Sequence, residues 1–409
     1  MSRSQYFTSF FFCLLLALIP VAAVVAQRSA SFIPGLAGLV GCLSIALLFK
    51  TRLTLPRHIL IGVTSIATLA LFSILWSFDP GHVWKMPLRA VAMMASGLLL
   101  ITAAESFDLR ALRPYLWIIP AALFVAAAMI VFDQTMGNPL YRSLRELAVD
   151  EHINRSQYNR ATSIIILMLI PCLSLLRGYC SPKVTAGILV IGLLPLLILT
   201  DSQSGQLALL FAAIVYFAFP YTRPKAWYLL AGIIFVLALA APFLSIWVFD
   251  HFAKDLNNMP VLGNGGGYAG ARIEIWDYVS RYMLQSPLYG FGFEATRQVP
   301  HFDTAQIYQK TDFILHPHNF MIQIWMEFGA IGALLAGVLM SGLIILMQKR
   351  LTKAEARIAL PTLVACLSIA STGYGLWQAW WIGTLFTVAA LCILAIRVQR
   401  DTLNPVHPT

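Results

Sequence analysis

Apolar runs the length of a bilayer crossing, about 17–25 residues, recur along the whole chain with short polar breaks between them. They lie near 7–26, 31–49, 58–76, 86–104, 114–132, 161–176, 184–200, 204–220, 227–249, 319–347, 356–373 and 376–396. Runs of this length and period predict transmembrane helices, so the expected fold is an all-α membrane protein of about twelve spans. Only Asp201-Ser202-Gln203 separates the seventh run from the eighth, which makes them a tight hairpin, and Gly373-Tyr374-Gly375 turns the last pair. The first run follows Arg3 and ends in Val24-Val25-Ala26, a weak signal-peptide pattern. It exceeds the usual apolar segment of about 7–15 residues and is expected to be helix one. The organisation expected is helices one to nine in 1–250, a large loop with an amphipathic helix in 251–318, and helices ten to twelve in 319–397.

Composition agrees: 59% of the 409 residues are hydrophobic and 11% charged, where a soluble domain carries about a quarter charged. The net charge of +10 does not point to nucleic acid, because the basic residues sit in short loops between apolar runs. With the N-terminus inside, alternate loops hold Lys50/Arg52/Arg57, Arg110/Arg113, Arg177/Lys183, Arg223/Lys225 and Lys349/Arg350/Lys353/Arg357, and Arg397 and Arg400 follow the last run. This is the positive-inside pattern, and it predicts both termini in the cytoplasm. The cysteines (Cys13, Cys42, Cys172, Cys180, Cys366, Cys392) lie in apolar runs or, for Cys180, a short basic loop. Their spacing is not that of metal ligands, so they read as packing residues.

Two long loops fall on the opposite, non-cytoplasmic side, Asp133 to Arg160 and His251 to His318, and hold Arg142, Arg145, Arg155, Arg160, Arg272, Arg281 and Arg297. Long loops in a compact protein are usually functional, and arginines kept on a translocated face suggest an anionic ligand. His316-Pro317-His318-Asn319 leads into the tenth run. Pro317 suits the first turn of a helix, which puts His318 near a helix start, where the dipole favours the neutral imidazole that a general base needs. The bland alternative is an interfacial histidine bonded to a loop carbonyl. Residues 271–281 read as an amphipathic helix after the glycine stretch Gly263–Gly267, whose amides could suit phosphate oxygens or form a plain surface loop. Asp277 and Arg281 are i,i+4 partners, whereas no acid lies three or four positions after Arg272, which makes Arg272 the better phosphate candidate. Arg160 opens the sixth run and points either at a ligand or at lipid phosphate. Trp377, Trp380, Trp381 and Tyr374 crowd one turn, as an interfacial aromatic belt or as a sugar-stacking surface. His316 and His318 supply at most two metal ligands, and no cofactor is expected.

His318-Asn319, nine residues, then Gly329-Ala330-Ile331-Gly332 resembles the H-[NSQ]-x9-G-x-x-G motif of bacterial O-antigen ligases. Arg272-Ile273-Glu274-Ile275-Trp276 through Ser286-Pro287-Leu288-Tyr289-Gly290-Phe291-Gly292 is similar to the loop before that motif in the wider ligase and polymerase superfamily. The resemblance implies a GT-C-like, metal-independent glycosyltransferase of the bacterial inner membrane with a periplasmic active site. Its donor would be an undecaprenyl-pyrophosphate-linked glycan and its acceptor lipid A-core or a growing glycan, among membrane lipids. It implies that His318 activates the acceptor with Asn319 beside it, and that arginines, Arg272 foremost, hold the pyrophosphate. Arg160, Arg281, His316 and Trp377 are further substrate-binding candidates. Gln203 stands where the family often has arginine; it can hydrogen-bond a phosphate oxygen but not neutralise it. A polymerase is the nearest alternative and a polysaccharide transporter or flippase a more distant one, since no half-to-half repeat is visible.

Overall fold

A computed structural model describes the chain apart from residues 1, 27–28, 79–83, 149, 177–178, 259–267, 300–313 and 404–409. The glycine stretch Gly263–Gly267 therefore lies outside the described residues. Every apolar run falls on a helix, and no strand occurs among the described residues. Among the described residues, ten helices are long and apolar enough to cross a membrane. The seventh and eighth runs give the shorter helices α8 (Pro182–Leu199) and α9 (Gln203–Ala218). In a bilayer each backbone polar group must be satisfied internally, which is why apolar sequence of this length becomes helix.

In order, α1 is Arg3–Val25, α2 Ile33–Ser44, α3 Arg57–Phe72, α4 Lys85–Ser106, α5 Ile118–Thr135, and α6 the short Pro139–Arg145. Then come α7 (Asn159–Leu176), α8, α9, α10 (Pro224–Asn258), the amphipathic α11 (Tyr268–Met283), α12 (Phe320–Arg350), α13 (Lys353–Thr372) and α14 (Ala379–Leu403). The centre is α7, with α1, α5, α8, α9, α13 and α14 packed around it. Its hydrophobic stretch is 78% buried, against 22% for α10 and for α12, so those two mainly face outward. α10 and α12 pack along each other, and α11 lies against both.

The basic end of the bundle is tied by its charges. The Arg397 guanidinium donates to the Ala104 and Phe107 carbonyls at 2.6 and 2.8 Å, satisfying the end of α4. Arg400 pairs with Glu355 at 2.6 Å, joining α14 to α13. The opposite end gathers the starts of α7, α9, α11, α12 and α14 and the end of α13. There the buried Asp133 carboxylate accepts from the Leu140 and Tyr141 amides at 2.5 and 3.3 Å and from the Tyr158 hydroxyl at 2.6 Å. One carboxylate thus shapes the whole first long loop.

The glycines of the His motif have a structural use. Gly329 sits inside α12 at φ 59°, ψ −153°, and breaks its hydrogen-bond ladder. Segment 286–292 fills the gap. Phe291 N and Gly292 N donate to the Met326 and Glu327 carbonyls at 2.9 Å each, while Ala330 N donates to the Pro287 carbonyl at 2.8 Å and Ile331 N to that of Leu288 at 3.3 Å. Irregular backbone inside a membrane helix survives only when protein satisfies it in this way. A Cβ on Gly329 would lie 2.5 Å from the Leu288 carbonyl carbon, and one on Gly290, also at positive φ, 2.6 Å from the Glu327 carbonyl carbon. The 286–292 segment and the first glycine of the G-x-x-G pair are therefore two halves of one joint.

Candidate active site

A pocket of about 460 Å³ opens where the starts of α7 and α9 meet α11, the 316–318 segment and the 373–378 turn. That volume lies in the usual range for ligand pockets. Arg160, Gln203, Arg272, His316 and His318 all line it, from four separate stretches of the sequence. Asp201, Ser202, Ser204, Asn159, Tyr141 and Gln378 add polar groups.

Asn319 caps α12, its Oδ1 accepting from the Met321 and Ile322 amides at 3.0 and 3.3 Å. The helix thus starts at Phe320, later than Pro317 suggested, and His318 stands just outside it in the left-handed region at φ 55°. Histidine is among the few residues that adopt this conformation readily. The ring Nδ1 is 2.5 Å from the Gly373 carbonyl oxygen. A carbonyl only accepts, so Nδ1 carries the proton and Nε2 keeps its lone pair. Burial pushes the His318 imidazole below its ordinary value, the Gly373 bond opposes this, and Arg272 adds to the lowering. Neutrality thus comes from burial and a nearby cation, not chiefly from the helix dipole expected from sequence.

His316 packs on His318 with ring centroids 4.2 Å apart. The Trp380 indole donates to Gln378 Oε1 at 2.7 Å, which leaves Gln378 Nε2 to donate to His316 Nε2 at 3.1 Å. Burial first, then His318, Arg297, Arg160 and Arg272, push the His316 imidazole down to about 3. With its Nε2 committed as an acceptor, His316 supports the ring beside it.

Arg272 reaches the Ser204 hydroxyl at 3.5 Å, and Ser204 Oγ donates to the Thr372 carbonyl at 3.0 Å. Arg160 lies over the face of Trp380, its guanidinium carbon 5.7 Å from a ring centroid, a cation–π contact that leaves the fork edge for other partners. Gln203, the residue in the family's arginine position, is exposed at the rim. Among the described residues, no group of three or more His, Cys, Asp or Glu is arranged to hold a metal ion.

Three sequence candidates do not line the pocket: Asn319, whose side chain caps α12 and faces another cavity, Arg281 and Trp377. Arg281 pairs with Asp277 at 2.9 Å and Asp250 at 2.5 Å on the far side of α11. Trp377 packs on Phe293 and Phe328, its indole nitrogen 2.5 Å from Glu327. Nor do the neighbouring aromatics form a belt: Trp380 is 5% exposed and Trp381 fully buried. Sequence reasoning missed Ser204 and Gln378, which carried no motif, and Glu327, which a carboxyl in the middle of an apolar run should have announced.

Residues 188–337 match the family model described as O-antigen ligase. The match takes in Gln203, Arg272, His316, His318, Glu327, Gly329 and Gly332, while Arg160 and Gln378 lie outside it. Among curated proteins, the chain is 25% identical over 215 residues to a Rickettsia conorii protein named "Putative polysaccharide ligase", a match covering 51% of each chain. Proteins of the same description from Rickettsia felis and Rickettsia bellii are 24% and 27% identical, over 52% and 58% of this chain and 52% and 56% of theirs. The chain thus spans about half the length of the curated relatives it matches. No solved structure matches significantly. The His motif, the joint it forms with 286–292, the family match over 188–337 and these relatives all support a likeness to the O-antigen ligase superfamily.

Proposed function

We propose that this protein transfers a glycan from undecaprenyl pyrophosphate to lipid A-core, or a similar sugar acceptor, at the periplasmic face of the bacterial inner membrane. The observation that carries the reading is the pairing, in one pocket, of an imidazole whose Nδ1 is held by the Gly373 carbonyl, which leaves Nε2 as the ring's acceptor, with the guanidinium groups of Arg272 and Arg160. In this reading the acceptor hydroxyl attacks the anomeric carbon of the donor, and His318 Nε2 takes its proton. The bond to the pyrophosphate oxygen breaks, and the arginines hold the leaving group by charge-assisted hydrogen bonds. Gln203 donates a hydrogen bond without charge. A second cavity, of about 340 Å³ and mostly apolar, lies between α10 and α12 and is lined by Ile273, Trp276, Asn319 and Phe320, the chain neighbours of Arg272 and His318. Its lining suits the hydrocarbon of a lipid-linked donor.

Deletion of the gene followed by lipopolysaccharide gels tests the reading. Lipid-linked chains that accumulate unattached support a ligase, and core bearing a single repeat unit supports a polymerase instead. The transfer is proposed to need no divalent metal, because the arginines supply the positive charge and His318 the base. Transfer activity should survive EDTA, and activity lost to EDTA and restored by a metal ion would overturn this.

The proposed sidedness has its own measurement. In a cysteine-free background, Ser143→Cys and Lys353→Cys both place a thiol on exposed residues. A membrane-impermeant reagent applied to intact cells with a permeable outer membrane should label the first and spare the second. The reverse pattern would invert the topology.

A further inference from the structure

Glu327 lies about two and a half turns along α12 from His318. It is 0% exposed and does not line the pocket. Its two carboxyl oxygens accept from Gln323 Nε2 at 2.8 Å and from the Trp377 indole at 2.5 Å, and the Glu294 backbone amide donates to the same carboxyl. Gln323 turns its own Oε1 to the Leu376 amide at 2.9 Å. Two side chains one turn apart on α12 thus grip the 373–378 turn from beneath. The upper side of that turn carries the Gly373 carbonyl bonded to His318 Nδ1 and the Gln378 amide bonded to His316. Burying a carboxyl among apolar helices is unfavourable, and an apolar residue of similar size would often serve stability as well or better. Its retention needs another reason.

We propose that Glu327, through Gln323 and Trp377, is a positioning residue that holds the 373–378 turn and so fixes the tautomer and orientation of His318. This rests on the reading of His318 as the base. The donor count makes it testable. Trp377 and Leu376 only donate, so the network needs both Glu327 oxygens and the Gln323 oxygen as acceptors. Glu327→Gln converts one acceptor into a donor. Turned toward Trp377, the new amide meets the indole N–H; turned toward Gln323, it forces that side chain to flip and face Leu376 N–H with its own NH₂. One donor–donor conflict remains in either arrangement. Trp377→Phe removes the indole donor and so relieves the conflict.

The experiment compares Glu327→Gln, Trp377→Phe and the double variant with the native protein. Membranes of a deletion strain, carrying its own lipid-linked glycan, are used at equal protein abundance and across pH. Misplacing a catalytic group by about 1 Å typically lowers turnover about 100-fold. Glu327→Gln should approach that loss with donor KM little changed, Trp377→Phe should lose less, and the double variant should recover most of the activity. The Gly373 bond favours the protonated ring, so losing it should move the acid limb of the rate profile to lower pH in Glu327→Gln, and the double variant should restore it. The other groups facing His318, His316 from its own segment and Arg272 from α11, are unchanged throughout.

A merely structural Glu327 would lower abundance and thermal stability in step with activity, leave the acid limb in place, and make the double variant worse than either single one; that outcome overturns the proposal. Native activity in Glu327→Gln beside an inactive His318→Asn also overturns it and leaves the base reading standing. Full activity in His318→Asn overturns the base reading instead, and the fixing of a catalytic tautomer falls with it.

Discussion

His318→Asn should abolish or nearly abolish glycan transfer while leaving insertion and donor binding intact. A positioned general base is typically worth about 10²–10⁴-fold, and the loss should fall in that range. Asparagine is the informative substitution because the residue sits at φ 55°, a region asparagine tolerates and alanine does not. His318→Ala adds backbone strain of about 1–2 kcal/mol, so the two variants separate chemistry from folding. His316→Ala should be milder, acting through the order of its neighbour. Wild-type lipopolysaccharide from His318→Asn in a complemented deletion strain, or an inactive His316→Ala beside it, would remove His318 from the role. The profile has a definite sign. The base works unprotonated, so activity rises with pH through its folded-state pKa, and burial and Arg272 hold that value down. The acid limb should therefore lie below the ordinary imidazole value of about 6.5.

Arg272→Ala is the second large effect. A charge-assisted hydrogen bond contributes about 1.5–3 kcal/mol, so losing two to a pyrophosphate means a fall of about 100-fold or more. Arg272→Lys should restore only part of it, because lysine lacks the planar fork. Arg281 is half exposed in its ion pairs with Asp277 and Asp250, and exposed pairs contribute about 0–1 kcal/mol, so Arg281→Ala should leave transfer close to native. Transfer rates at matched abundance decide it, and a more damaging Arg281→Ala would refute the assignment.

The helices were legible because lipid leaves the backbone few alternatives, and apolar length reports them directly. The opposite fates of Arg272 and Arg281 were legible too, since nine residues on a helix place them on opposite sides and Asp277 accounts for one. The assembly of the pocket was not. Arg160 meets His318 only because α7 runs through the middle of the bundle, and no local pattern specifies which helix does so. The tryptophans misled for a related reason: Trp381 next to a polar turn reads as interfacial, whereas α1, α7 and α14 close around it in the same core. Glu327 was hidden by its neighbours, since a single carboxyl hardly alters the apolar average of its run and its partner Trp377 lies 50 residues away in the chain.

The break at Gly329 gives the nine-residue spacing a meaning in length. Nine helical residues rise about 14 Å, close to half of a hydrocarbon layer of about 30 Å. The motif is a ruler between His318 and a seam of polar backbone inside an apolar helix, where 286–292 is stitched into α12. One residue added or removed between them would rotate the seam about 100° around the axis and carry Gly329 away from Leu288. The carbonyls of Met326 and Glu327 would then lose the Phe291 and Gly292 amides, and an unsatisfied backbone group within a membrane costs several kcal/mol. The spacing is thus a constraint on how the helix is satisfied inside a membrane, and it binds the loop and the helix to change in length only together.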